Sequence, residues 1–249
     1  MSTDKDWQAW GQRDPYFGVL SHQQFRRARL TAGSYDEFFR DGRRQFDEIL
    51  TDCRRYCGEV STRDTLDFGC GVGRMLIPLA EVSERCTGVD ISDAMRAEAA
   101  LNCRKFNREN VTLVTTLEEI QLPPPAFSFI QSYIVLQHLD PDRGLDIIRT
   151  LLASLCPGGC AALHVTYART KYRRTLGALP FGHQFLRRIR YPISRFFRTL
   201  RNRDPQMQMN FYDLNRVLFL AQDHGVRTGG LRFTDHGGHF GAILYFKRE

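Results

Sequence analysis

Two groups of residues have the types and the spacing to do chemistry. The first is Asp67-Phe68-Gly69-Cys70-Gly71-Val72-Gly73-Arg74, an acid followed by three glycines at two-residue spacing. Glycines let the backbone turn sharply and approach a ligand without Cβ hindrance. A helix starting just after them presents free N–H groups at the same place. Asp90 follows about 20 residues after the first glycine, where an acid takes ribose hydroxyls in nucleotide-binding α/β units. The second group is a set of histidines: His138, in Leu136-Gln137-His138-Leu139-Asp140-Pro141, and His236 and His239, in Asp235-His236-Gly237-Gly238-His239. An imidazole with an ordinary pKa of about 6.5 can remove a proton near neutral pH. Tyr133 is a fourth candidate for that role.

These residues need a scaffold that brings them together, and the pattern of the chain supplies one. Short apolar runs at 66–68, 86–90, 111–114, 127–133, 160–167, 226–234 and 241–247 read as strands. Between them, 75–82, 93–106, 141–155 and 211–224 read as helices, with Ser92 and Asp140 as N-caps and Pro141 at the first helical position. Strands alternating with helices predict a parallel sheet covered on both faces. Open parallel sheets bind ligands at the carboxyl ends of their strands. That edge holds Thr115, Thr116 and Leu117 after the third strand, and Gln131, Ser132 and Tyr133 at the end of the fourth. If the sixth strand is parallel to its neighbours, the turn 235–239 falls on the same edge, and His138, His236 and His239 approach one rim. Ahead of the sheet, Ser34 and Glu37 have the spacing of a capping box. Phe39, Phe46, Ile49, Leu50, Cys53 and Cys57 continue at helical spacing to about Gly58.

The glycine spacing carries a resemblance. Arg74 stands where a dinucleotide fingerprint places its third glycine, which turns the reading away from hydride transfer. Asp67-Phe68-Gly69-Cys70-Gly71-Val72-Gly73 resembles the first motif of class I S-adenosylmethionine-dependent methyltransferases, and Gly88-Val89-Asp90-Ile91-Ser92 resembles their second. The likeness covers about residues 60–167 and 211–247. It implies a Rossmann-like, seven-stranded, mostly parallel α/β sheet with helices on both faces and the last strand antiparallel. It also implies S-adenosyl-L-methionine as cofactor, contacted by Asp67, Gly69, Cys70, Gly71, Gly73, Arg74, Asp90, Ile91, Met95, Thr116, Leu117 and Ser132. Within that set Asp90 would take the adenosine ribose and Ile91 would pack on the adenine. Where many relatives carry an acid after the third strand this chain offers threonines, so an adenine contact there falls to hydroxyl or backbone groups. The Asn/Asp-Pro-Pro-Tyr motif of enzymes that methylate exocyclic amines of bases is absent.

Composition frames the remaining expectations. The 249 residues suffice for one domain with embellishments: an N-terminal helical cap at 1–60 and the cofactor-binding domain at 61–249. No apolar run is long enough to span a bilayer, and the polar first residues lack a secretory h-region. The expected compartment is therefore the cytoplasm. Seven cysteines without a C-x-x-C pair fit reduced thiols, so neither a disulfide framework nor a metal site is expected. The net charge of +7 is concentrated: from Arg169 to Arg203 there are eleven Lys or Arg and no acid, which leaves −4 for the rest. This basic insertion, 168–210, also carries an apolar stripe of Phe185, Leu186, Ile189, Ile193, Phe196, Phe197 and Leu200. A lid packed on the body, a peripheral contact with an anionic membrane through 169–203 and a nucleic-acid arm all suit it, the last least because the stripe is so complete. The expected activity is O-methylation of a small, or lipid- or glycan-linked, acidic acceptor. Its rivals are an RNA methyltransferase and a non-catalytic cofactor-binding scaffold.

Overall fold

The computed structural model describes residues 3–120, 125–175 and 204–249. The apolar stripe of the basic insertion lies outside them. Seven strands form one sheet in the order β3-β2-β1-β4-β5-β7-β6. They are β1 (Asp64–Phe68), β2 (Arg85–Val89), β3 (Val111–Val114), β4 (Phe127–Ser132), β5 (Leu155–Arg169), β6 (Val226–Asp235) and β7 (His239–Arg248). The first five pair in parallel, and β7 enters antiparallel between β5 and β6. This is the expected Rossmann-like sheet with its last strand reversed. Among the described residues β6 pairs only with β7, and the two form a hairpin at the sheet edge.

The central strands are buried on both faces, and their side chains alternate between two cores. Cys160 and Ala162 of β5 and Ile243 and Tyr245 of β7 join one core. Ala161, Leu163, Ala242 and Leu244 join the other. The first core is covered by α3 (Ala32–Cys57), α4 (Leu76–Glu81) and α5 (Asp93–Lys105), with α1 (Asp4–Arg13) and α2 (Pro15–Val19) at its rim. The second is covered by α6 (Pro141–Ala153) and α7 (Leu214–Asp223). Among the described residues no helix is long and apolar enough to cross a membrane.

Two starts differ from the sequence expectation for local reasons. Helix α3 is capped one turn earlier than Ser34. Thr31 is extended, its Oγ1 accepts the Ser34 N–H, and the Ser34 hydroxyl accepts the Thr31 N–H. The capping box is therefore Thr31/Ser34 and not Ser34/Glu37. Helix α7 begins at Leu214, not 211, because Asn210 and Tyr212 donate backbone N–H groups to Gln137 and Thr166 and so run along the sheet end. Asp213 then caps the helix by accepting from Asn215 N. Ser92 and Asp140 cap α5 and α6 as expected.

The N-terminal helices are docked by specific groups as well as by burial. Asn102 on α5 donates to Val72 O in the glycine turn and accepts from the hydroxyls of Tyr16 and Tyr35. Gln8 on α1 donates to Ile91 O at 2.8 Å and accepts from Asp93 N at 3.2 Å. Gly42 of α3 lies so close to the turn that a Cβ there would sit 2.4 Å from Arg74 O.

Candidate functional site

Where β1 ends, the chain enters the glycine turn with Gly69, Gly71 and Gly73 all at positive φ, between 54° and 93°. An L side chain rarely adopts such backbone, which explains the glycines. The turn is pinned to the end of β2: Gly69 N and Cys70 N both donate to Val89 O, at 2.7 and 3.0 Å. Space is equally restrictive, since a Cβ on Gly69 would meet Val135 at 2.4 Å and one on Gly71 would meet Val19 at 2.7 Å.

Asp90 follows β2 and is fixed by two amides, Gly71 N to Oδ2 and Ser92 N to Oδ1, each at 2.9 Å. Burial raises its pKa while these amides hold it down. Each carboxylate oxygen keeps a further lone pair for a ligand hydroxyl. Asp67, at the end of β1, is 2% exposed, and its Oδ2 has no hydrogen-bond partner among the described residues. Burial, with a smaller push from Asp90, raises its pKa to about 7 against a hydrogen bond from Gln131.

A cavity of about 530 Å³ opens over this edge, within the range of small-molecule sites. Of the residues expected at the cofactor, Asp67, Gly69, Cys70, Gly71, Arg74, Asp90, Ile91, Met95, Thr116 and Leu117 line it. Gly73 and Ser132 do not. Gly73 shapes the turn and packs against Ile77, and the Ser132 hydroxyl donates to Phe68 O, tying β4 to β1. Of the candidate bases, Tyr133, His138 and His236 line the cavity. His239 does not join them: it stacks on Phe211, at 5.9 Å between ring centres, in a separate pocket with Arg169 and Lys171. The hairpin places only the first of its two histidines over the sheet edge.

The cavity histidines differ in what they can do. His138 is buried with Nδ1 2.6 Å from Gln208 O. A carbonyl only accepts, so Nδ1 carries the proton. Burial pushes its pKa down to about 4, opposed by that hydrogen bond. His236 is half-buried, its Nε2 is without a partner among the described residues, and burial lowers its pKa while Asp235 opposes. Its ring lies 6.2 Å from Tyr133 and 5.2 Å from His164. His164 was not foreseen, because a single histidine inside the apolar run of β5 reads as core. It is fully buried, sits 2.8 Å by Nε2 from Thr234 Oγ1, and is pushed down to about 3 by burial, then by the neighbouring His236 and His138.

The rest of the wall comes from the N-terminal segment, including Trp7, Val19, Leu20, Asp41 and Gln45. Trp7 meets His138 edge-on, with ring centres 4.9 Å apart. Gln45 accepts from the Tyr133 hydroxyl at 3.1 Å, and Asp41 pairs with Arg74. Arg143, the other arginine of the wall, pairs with Asp4 at 2.6 Å. None of these residues has a motif; only the helical cap expected at 1–60, with its helical spacing up to about Gly58, pointed to a covering element.

Comparison with known proteins agrees with this geometry. A family model described as a methyltransferase domain matches residues 65–159, which run from the glycine turn to the start of β5. Over those residues the chain is similar to methyltransferase domains. It is similar to an uncharacterised methyltransferase of Geobacillus kaustophilus, 28% identical over 139 residues, which are 56% of this chain and 60% of the relative. A second, from Geobacillus thermodenitrificans, is 29% identical over 58% of this chain and 65% of its own. The chain thus matches just under two thirds of the length of these relatives. In fold, the domain resembles magnesium protoporphyrin IX methyltransferase from Synechocystis with bound S-adenosylmethionine, with a TM-score of 0.61 and 16% identity over 100% of this chain and 98% of that one. It also resembles the N-methyltransferase NodS from Bradyrhizobium japonicum in complex with S-adenosylhomocysteine, with a TM-score of 0.58 and 14% identity over 99% and 98% of the two chains.

Proposed function

We propose that this protein transfers a methyl group from S-adenosylmethionine to a hydroxyl of a small molecule, with His236 taking the proton. The observation that carries the proposal is a single cavity lined both by the glycine turn with Asp90 and by His236, whose buried Nε2 has no partner among the described residues. The residues fit the cofactor: Asp90 offers lone pairs to ribose hydroxyls, Ile91, Met95 and Leu117 offer an apolar wall to a flat ring, and the buried partnerless oxygen of Asp67 suits a cationic group. When bound, the cofactor supplies a methyl group on a sulfonium, whose transfer is an in-line displacement. Such a reaction depends chiefly on positioning. Gln45 and Tyr133 fix one wall for the acceptor. His236, with its pKa below 6.5, is the free base at neutral pH and can take the proton of an acceptor hydroxyl.

An acidic or lipid-linked acceptor rests on the arginines of 169–203 rather than on the cavity, because Arg74 and Arg143 are already paired with Asp41 and Asp4. The test is S-adenosylhomocysteine production with a metabolite extract by wild type and His236→Gln. The expected fall in kcat is about 10² to 10⁴ with cofactor binding intact, while His239→Ala stays near wild type. Full turnover by His236→Gln with an unchanged pH profile would remove the base from the proposal. Binding of the cofactor without product from any extract would favour the scaffold reading.

A further inference from the structure

Away from the cavity, the core holds a second group of side chains with chemistry of its own. Cys53 and Cys57 lie four residues apart near the end of α3, on one helix face. Cys160 faces them from β5, and the three Sγ atoms lie within 4.8 Å of one another. All three residues are buried and none is in a disulfide. His164, beside the cavity, stands four residues further along β5, about 13 Å away at the rise of a strand.

We propose that Cys53, Cys57 and Cys160 form a site for one thiophilic divalent metal ion of the zinc class. The spacing is suited to it: a Zn–S bond of about 2.3 Å places ligand sulfurs about 3.8 Å apart in a tetrahedron. The widest pair therefore has to close by about 1 Å at most, which rotation of a cysteine side chain can provide. A disulfide would need two sulfurs at about 2 Å and would leave the third thiol out. The metal uses all three. Charge is suited as well, since three thiolates and a divalent ion sum to −1. Lys247, paired with Cys160 across β5 and β7, brings its ammonium to Cys57 O at 3.0 Å and supplies the balancing charge. Gly58 and Glu59, immediately after Cys57, are exposed, so the metal would enter from that end of α3.

Packing alone is the competing account, because free cysteines are commonly buried as small apolar residues. It accounts for Cys86 and Cys103, which join no such group among the described residues. It does not require three thiols to converge beside an ammonium. A metal here would tie the foot of α3 to β5, while the other half of the same helix carries Asp41 and Gln45 into the cavity wall.

The test uses the full-length chain, reduced and stripped with a chelator, and titrated with cadmium as the probe. Expected are one cadmium per chain, the ultraviolet thiolate-to-cadmium charge-transfer band, and a Tm that rises with cadmium concentration as mass action requires. Cys160→Ala and Cys57→Ala should lose the band, and Cys103→Ala should keep it. Cadmium NMR on the wild type reads sulfur coordination directly, so the result stands even if a variant fails to fold. Absence of the band in the wild type, a band that survives Cys160→Ala, or a Cys53–Cys160 disulfide formed in place of metal uptake would overturn the proposal.

Discussion

Replacing Asp67 with Asn should change how the fold responds to pH. The carboxyl is 2% exposed with one oxygen partnerless among the described residues. Burial, then the charge of Asp90, raises its pKa from 3.8 to about 7. A group whose pKa is higher in the fold than in the unfolded chain favours the fold fully below its unfolded value. That contribution is lost as pH rises through the folded value. At 1.36 kcal/mol per pH unit, the displacement is worth up to about 4 kcal/mol. His138 and His164 act with the opposite sign: their folded pKa values, pushed down to about 4 and about 3, give stability that is present above 6.5 and lost as pH falls. Both histidines remain in the variant, so they cancel in the difference. The assay is the urea midpoint of wild type and D67N from pH 4 to pH 8, with m compared at each pH. The two proteins should nearly coincide at the acid end. D67N should gain steadily above pH 4 and reach an advantage of about 2 to 4 kcal/mol near pH 8. A difference that stays constant across the range would refute Asp67 as the titrating group.

Other outcomes follow from single contacts. Thr31→Ala removes the side-chain acceptor at the start of α3 and should cost about 1 kcal/mol, read as a lower Tm. Gly42→Ala drives a methyl group to 2.4 Å from Arg74 O, which should cost about 1 to 3 kcal/mol and weaken cofactor binding in calorimetry, because the displaced backbone belongs to the turn. Tyr212→Phe deletes the buried bond to Leu136 O at 2.7 Å and should cost about 1 to 3 kcal/mol in a denaturant titration, since the carbonyl is left without that donor. With the true acceptor, kcat/KM should rise with pH with its midpoint below the ordinary imidazole value of about 6.5, the sense in which burial moves His236.

The glycine-turn side of the cavity was legible in the sequence because what builds it is local. Gly69, Gly71 and Gly73 are dictated by backbone conformation, Ser92 by a helix start, and Asp90 by the end of a strand, all within thirty residues. The opposite wall of the cavity was not legible to the same degree, because packing between distant segments places it. Trp7 reaches His138 from α1, and Gln45 meets Tyr133 from α3. His164 was hidden by its strand, where a polar residue among apolar neighbours gives no sign of which group it faces. His236 and His239 were indistinguishable by spacing, and the pairing of Asp235 with Phe240 and of Arg169 with His239 separated them. Thr31 lost to Ser34 as the expected cap because both have the right hydroxyl, and only backbone conformation decides between them.

The antiparallel insertion of β7 has a consequence for how the protein is made. Because among the described residues β6 pairs with β7 alone, it lacks that partner while it leaves the ribosome, and Phe233, 70% exposed even in the finished fold, travels with it. The hairpin must therefore dock on β5 as a unit once β7 has been synthesised. Residues 65–159 are complete long before that moment, so a nascent chain holds the glycine turn and Asp90 while His236 is still absent. Under the proposed function, the capacity to hold the methyl donor and the capacity to use it would arise in sequence during translation, with the hairpin as the final step.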